Sequence, residues 1–163
     1  MPTEPDLTIY TIPNKEDCAK LDEMYVGIER SSNLIKELDN LYRSKKGILF
    51  YRWHDGQKYG KTTRLSIDDY FITVYKNTLA VEGSVITLAD QQLLFDNLEH
   101  IEANCYLQQD KMVGENSIYL LIIKNQFSIS KYFIDGSLNL ELENGDENIK
   151  KLKQVLAIMY RMH

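Results

Sequence analysis

The sequence predicts an α+β fold: an antiparallel sheet of about five to six strands carrying a long N-terminal helix, a middle helix and a C-terminal helix. Three observations point to it. The run Ile118-Tyr-Leu-Leu-Ile-Ile is apolar throughout and half β-branched, too short for an ordinary helix and suited to a strand buried on both faces. After the polar break Asn125-Gln126, residues Phe127, Ile129, Lys131 and Phe133 face one way and Ser128, Ser130, Tyr132 and Ile134 the other, so this second strand folds back on the first as a hairpin. Apolar residues also recur at helical spacing elsewhere in the chain, and a strand covered on both sides needs helices or loops on both faces of its sheet.

In chain order, residues 1–13 hold all three prolines and no periodicity, and read as a flexible leader to a single domain over 14–163. Between Asn14 and Lys46 the apolar residues Cys18, Leu21, Tyr25, Ile28, Ile35, Leu38 and Tyr42 share a helical face, with a break expected near Ser31-Ser32-Asn33. Asn14 suits the cap, and Arg43, Lys45 and Lys46 suit the negative end of the helix dipole. The sheet-and-helix core then occupies 47–163. Its first strands are Ile48 to His54 and Thr62 to Ile67, joined as a hairpin. Residues 68–79 fit both a helical face and a strand; the β-branched Ile72-Thr-Val favours strand, with Asp68-Asp69 as the turn. Thr87-x-x-Asp90 is a capping box, followed by Leu88, Leu94, Phe95, Leu98 and Ile101 as the apolar stripe of a helix. A short strand is expected over Ala103 to Leu107, a loop over Gln108 to Ser117, and an edge strand at Leu138 to Leu142. Ile149, Leu152, Val155, Leu156, Met159 and Tyr160 mark the closing helix, acidic at its start and basic at its end.

Composition excludes several function classes. Charged residues are 26% and hydrophobic residues 44%, an ordinary globular mix that excludes disordered and fibrous chains. A net charge of −5 argues against a nucleic-acid backbone as ligand, since phosphate neutralisation needs clustered Lys and Arg. No apolar run approaches the ~18 residues of a membrane span, and the first residues lack the pattern of a signal peptide, so a cytoplasmic protein is expected. Cys18 and Cys105 have neither zinc-knuckle spacing nor a disulfide framework and read as small buried hydrophobes.

Motifs of catalysis are weak. Gly56-Gln-Lys-Tyr-Gly60-Lys61-Thr62 is one residue short of a phosphate-binding loop and precedes strand-forming rather than helix-forming residues, so a hairpin loop is the stronger reading. His54, His100 and His163 share no metal-ligand spacing, and no nucleophile elbow occurs. No catalytic residue, cofactor or metal is therefore assigned.

Charge distribution says more. Residues 68–110 hold eight acids against one base, whereas 48–67 hold Arg52, Lys58, Lys61 and Arg64 against Asp55. Gln92, Asp96 and Glu99, spaced by four and three, line the helix face opposite Leu94 and Leu98. One acidic stripe is most often a solvated face. Acid next to Tyr and Trp is nevertheless what steers a protein onto a basic partner and anchors it there. The candidate partner-binding set is Asp68, Asp69, Asp90, Asp96, Glu99, Glu102, Tyr51, Trp53 and Tyr59.

The run Gly47 to Gly56, the return Lys61 to Asp68, the helix after Thr87 and the ending from Ile118 through Asp135-Gly136 to Leu156 together resemble small bacterial immunity and inhibitor-type proteins. The resemblance covers about residues 47–160 in element order and transfers no functional residue. It implies a cofactor-free, non-enzymatic antitoxin-type binding protein that occludes a basic toxin or effector, as a monomer or homodimer. A secretion-effector chaperone or adaptor, or an enzyme whose site is assembled from distant residues, are the other readings.

Overall fold

The computed structural model describes residues 8–11, 33–54, 60–69, 71–82, 86–102, 105–110, 117–126, 128–135 and 147–163. Its elements are β1 (Thr8–Thr11), α1 (Asn33–Arg43), β2 (Lys46–His54), β3 (Lys61–Ile67), β4 (Ile72–Lys76), β5 (Leu79–Ala80), α2 (Leu88–Leu98), β6 (Cys105–Asp110), β7 (Ser117–Asn125), β8 (Ser128–Asp135) and α3 (Glu147–Met162). The strands form one sheet in the order β1-β6-β8-β7-β2-β3-β4-β5. All neighbours are antiparallel except β6 and β8, which run parallel. The sheet is thus mixed and has eight strands, larger than the antiparallel sheet expected.

β7 occupies the middle, as its unbroken apolar run requires. Tyr119, Leu121 and Ile123 enter the core under α2 and α3, while Leu120 and Ile122 enter the core under α1. Its hairpin partner β8 alternates in the same way, sending Tyr132 and Ile134 to the first core and Phe133 to the second. On its other side β7 pairs with β2 through Phe50 and Leu121, and β2 pairs with β3 from Lys46 opposite Ile67 to Arg52 opposite Lys61. The ambiguous stretch after Asp68 is a strand, with Asp68 in the turn donating its amide to Phe71 O. β4 returns to β5 through Asn77 and Thr78, whose φ of 48° and 72° are the left-handed backbone conformation of a two-residue turn that matches the right-handed twist of the strands. β3 begins at Lys61, so the segment after Gly60 is a strand and not the helix of a phosphate-binding loop.

Several expectations need correction. Thr8–Thr11, inside the expected flexible leader, is strand β1 and pairs with β6. A four-residue edge strand carries too little pattern to be seen locally; its partner decides it. β6 runs on to Asp110 where a loop was expected. The long N-terminal helix is described only as α1, which starts at the expected break; residues 14–32 with their cap Asn14, and the expected edge strand 138–142, lie outside the described residues. The buried face of α1 is also rotated from the expected one. Leu34, Glu37, Leu38 and Leu41 are buried, whereas Ile35 is 37% exposed. Both stripes fit helical spacing, and the sheet chose the one carrying three leucines.

α1 closes tightly on the sheet. A Cβ on Gly47 would lie 2.7 Å from Leu65 O and 2.8 Å from a Leu41 methyl carbon, so glycine is required where the chain passes from α1 into β2. Lys124 Nζ donates to the carbonyls of Tyr42 and Ser44, meeting the negative end of the helix with a cation from β7. Cys105 is buried, as expected, but it is also disulfide-bonded. The one other cysteine in the sequence is Cys18, outside the described residues. Disulfides require Cα atoms ~4.4–6.8 Å apart, a condition that spacing along the chain cannot reveal.

Candidate functional site

α2 is built as its capping box demands: Thr87 Oγ1 accepts the Asp90 amide at 3.1 Å. Leu94 and Leu98 are buried and turn Gln92, Asp96 and Glu99 outward, all exposed. Leu88 was expected in the apolar stripe, yet it is 83% exposed. It lies roughly a third of a turn from Leu94, which puts it at the head of the outward row. The result is one line along the helix, Leu88, Gln92, Asp96 and Glu99, with an apolar residue at one end and carboxylates at the other. Gln92 donates to Asp96 at 3.0 Å and holds that carboxylate in place. Among the described residues no Lys or Arg forms an ion pair with Asp96 or Glu99.

The other acidic candidates are distributed differently. Asp90 is bound at 3.0 Å by Arg161 of α3, so its charge is spent inside the molecule. Asp68 and Asp69 are exposed and border an open depression of about 630 Å³ shared with Lys45 and Lys46, where two acids face two lysines. Glu102 is exposed at the far end of α2, where its backbone is tied to Asn148 of α3. The acidity of residues 68–110 therefore does not form one surface. Only Asp96 and Glu99 stay on a rigid, outward face.

The aromatic candidates do not flank that face. Tyr51 is fully buried in the core under α1, and Trp53 is half-buried against the same core, on the opposite side of the sheet from α2. Alternation explains it: odd positions of β2 point toward α1. Tyr59 lies outside the described residues.

At the end of the sheet beside the C-terminus of α3, topology gathers residues that the linear sequence keeps apart. Arg52 and His54 of β2 share a face with Lys61 and Thr63 of β3, Lys76 of β4, and Ser117 and Tyr119 of β7. His163, following α3, lies with Nδ1 2.9 Å from Thr63 Oγ1 and its ring edge-on to Phe50 at 4.9 Å. Burial, then Arg52, Lys61, Lys76 and His54, lower its pKa from the ordinary 6.5 to about 4. His54 Nδ1 is hydrogen-bonded to Ser117 Oγ. A serine and a histidine are thus in contact, with Ser117 5% exposed. Among the described residues no three His, Cys, Asp or Glu side chains gather as a metal site.

No family model, curated protein or solved structure matches this chain. The charge count had flagged residues 48–67 as basic, a signal that could have led to Arg52 and Lys61. Lys76 and His163 carried none, because β4 and the end of α3 reach the site only through the fold.

Proposed function

We propose that this chain is a non-enzymatic binding protein of the immunity or inhibitor kind, which covers a basic protein partner with the outer face of α2. The observation that carries the reading is the line Leu88, Gln92, Asp96, Glu99 on a helix held from beneath by Leu94 and Leu98. Unpaired carboxylates on a rigid element speed encounter with a basic surface, and an exposed leucine beside them supplies the apolar contact that slows release. Leu88 thus takes the anchoring role on this face, since Tyr51 and Trp53 lie on the other side of the sheet. Among the described residues no helix is long and apolar enough to cross a membrane. The disulfide at Cys105 favours an oxidising compartment over the expected cytoplasm, since thiols stay reduced in the cytosol.

The test uses the partner isolated from the producing cells on immobilised wild-type chain, with association and dissociation measured at low and high salt. Asp96→Lys/Glu99→Lys is expected to slow association at least tenfold at low salt while changing folding stability by no more than about 0.5 kcal/mol. Leu88→Ala is expected to speed dissociation. Equal rates for wild type and both variants would mean that α2 is a solvated face and that recognition lies elsewhere.

A further inference from the structure

We propose that the sheet end beside the C-terminus of α3 is a binding site for a phosphoryl dianion, held by Arg52, Lys61, Lys76 and His163 with Tyr160 at its rim. Register brings the cations together. Lys61, Arg52 and Tyr119 stand side by side on β3, β2 and β7, and Lys76 stands beside Thr63, two residues along on the same face. Strand spacing and pleat place the three cationic Cα atoms within about 12 Å, and the long side chains close that distance.

These are not the features of a solvated basic face. Arg52 is half-buried, with its guanidinium carbon 5.4 Å from the ring centre of Tyr160 and 5.8 Å from that of Tyr119. Its head is held between aromatic rings. Arg52 Nε and His163 Nε2 are both shut off from solvent without a hydrogen-bond partner. Nδ1 of His163 lies 2.9 Å from Thr63 Oγ1, which leaves Nε2 as the ring atom without a partner. Among the described residues no carboxylate forms an ion pair with Arg52, Lys61 or Lys76. The low pKa of His163, ascribed after burial to these same cations, agrees with the geometry.

Charge arithmetic selects the ligand. The C-terminal end of α3 offers roughly half a negative charge against three formal positive ones. Among the described residues positive charge therefore stays in excess. A phosphate monoester carries about −1.5 to −2 near neutral pH and presents acceptor oxygens that suit guanidinium, ammonium and imidazole donors together. Phosphoryl groups come on small molecules or on lipid headgroups, and the site chemistry is common to both.

Titration calorimetry at pH 7.5 and low salt, with inorganic phosphate and phenyl phosphate as soluble probes, tests the site. Neutral vesicles with and without phosphatidic acid test the lipid source. Saturable one-to-one binding is expected for the wild type, weakened at least tenfold by Arg52→Gln. Lys61→Gln/Lys76→Gln, which removes two charges outside the core, is expected to weaken it similarly with an unchanged melting temperature. Asp96→Lys/Glu99→Lys is expected to bind as the wild type does, which separates this site from the face of α2. Binding of the soluble probes supports a small phosphorylated ligand, and binding only to vesicles with phosphatidic acid supports a headgroup. No saturable binding to either, or equal affinity in all variants, overturns the proposal.

Discussion

A histidine free in water titrates near 6.5, but His163 is pulled to about 4 by burial and by Arg52, Lys61, Lys76 and His54, in that order. Protonation is therefore disfavoured in the folded chain and unhindered in the unfolded one. Between pH 6.5 and 4 the unfolded state binds the extra proton, so stability falls as pH drops through that window. Above the window both states are neutral and the effect vanishes. Denaturant unfolding of wild type and His163→Gln at pH 7.5, 5.5 and 4 reads this directly. The wild type is expected to lose stability relative to the variant only on the acid side. A difference that stays constant with pH would mean that the ring is as well solvated as in the unfolded chain. Nothing in the pattern around Arg161-Met162-His163 signals this, because the cations involved come from β2, β3 and β4.

At the scale of one element, α1 shows how an apolar stripe can carry a charge. Glu37 is fully buried between Leu34, Leu38 and Leu41. Its carboxylate accepts Arg64 Nε at 3.2 Å and Asn40 Nδ2 at 2.9 Å, while the Arg64 guanidinium lies 4.1 Å from the Tyr75 ring centre. The chain Asn40, Glu37, Arg64, Tyr75 ties α1 to β3 and β4. Removing one member of a buried pair strands the other, so Glu37→Ala is expected to cost roughly 3–5 kcal/mol. The double change Glu37→Leu/Arg64→Met is expected to cost less, since it leaves no unpaired charge. Chemical denaturation of both variants decides the matter. A double variant as unstable as the single one would show that the pair contributes more than compensation of its own burial.

For the whole molecule, the disulfide at Cys105 is the feature that the chain's local patterns concealed. A disulfide that closes a loop restricts the unfolded chain, typically by about 2–4 kcal/mol in the chain-entropy account. Cys105→Ser is expected to lose a comparable amount. The wild type under reducing conditions should melt where the variant does. Melting temperatures that ignore both the reductant and the substitution would show that the disulfide does not form in solution. The thiol chemistry was legible only as two buried cysteines, since bridging depends on where β6 lies and not on spacing.

The sequence by itself determined the elements whose periodicity is strong. The Ile118 to Ile123 run could only be a strand covered on both faces, Thr87-x-x-Asp90 started α2, and the apolar residues from Ile149 to Met159 made α3. Local sterics and the hydrophobic effect act at these positions without reference to distant residues. Tertiary structure alone decided what depends on pairing and rotation: that Thr8–Thr11 joins β6, that β6 and β8 run parallel, which stripe of α1 is buried, and that Leu88 faces out while Tyr51 faces in. It also decided charge. Asp90 was claimed by Arg161, Asp68 and Asp69 came to border one depression with Lys45 and Lys46, and Arg52, Lys61, Lys76 and His163 were brought to one end of the sheet. Electrostatic energy falls with distance in space, and distance in space is set by strand register and helix placement rather than by order along the chain.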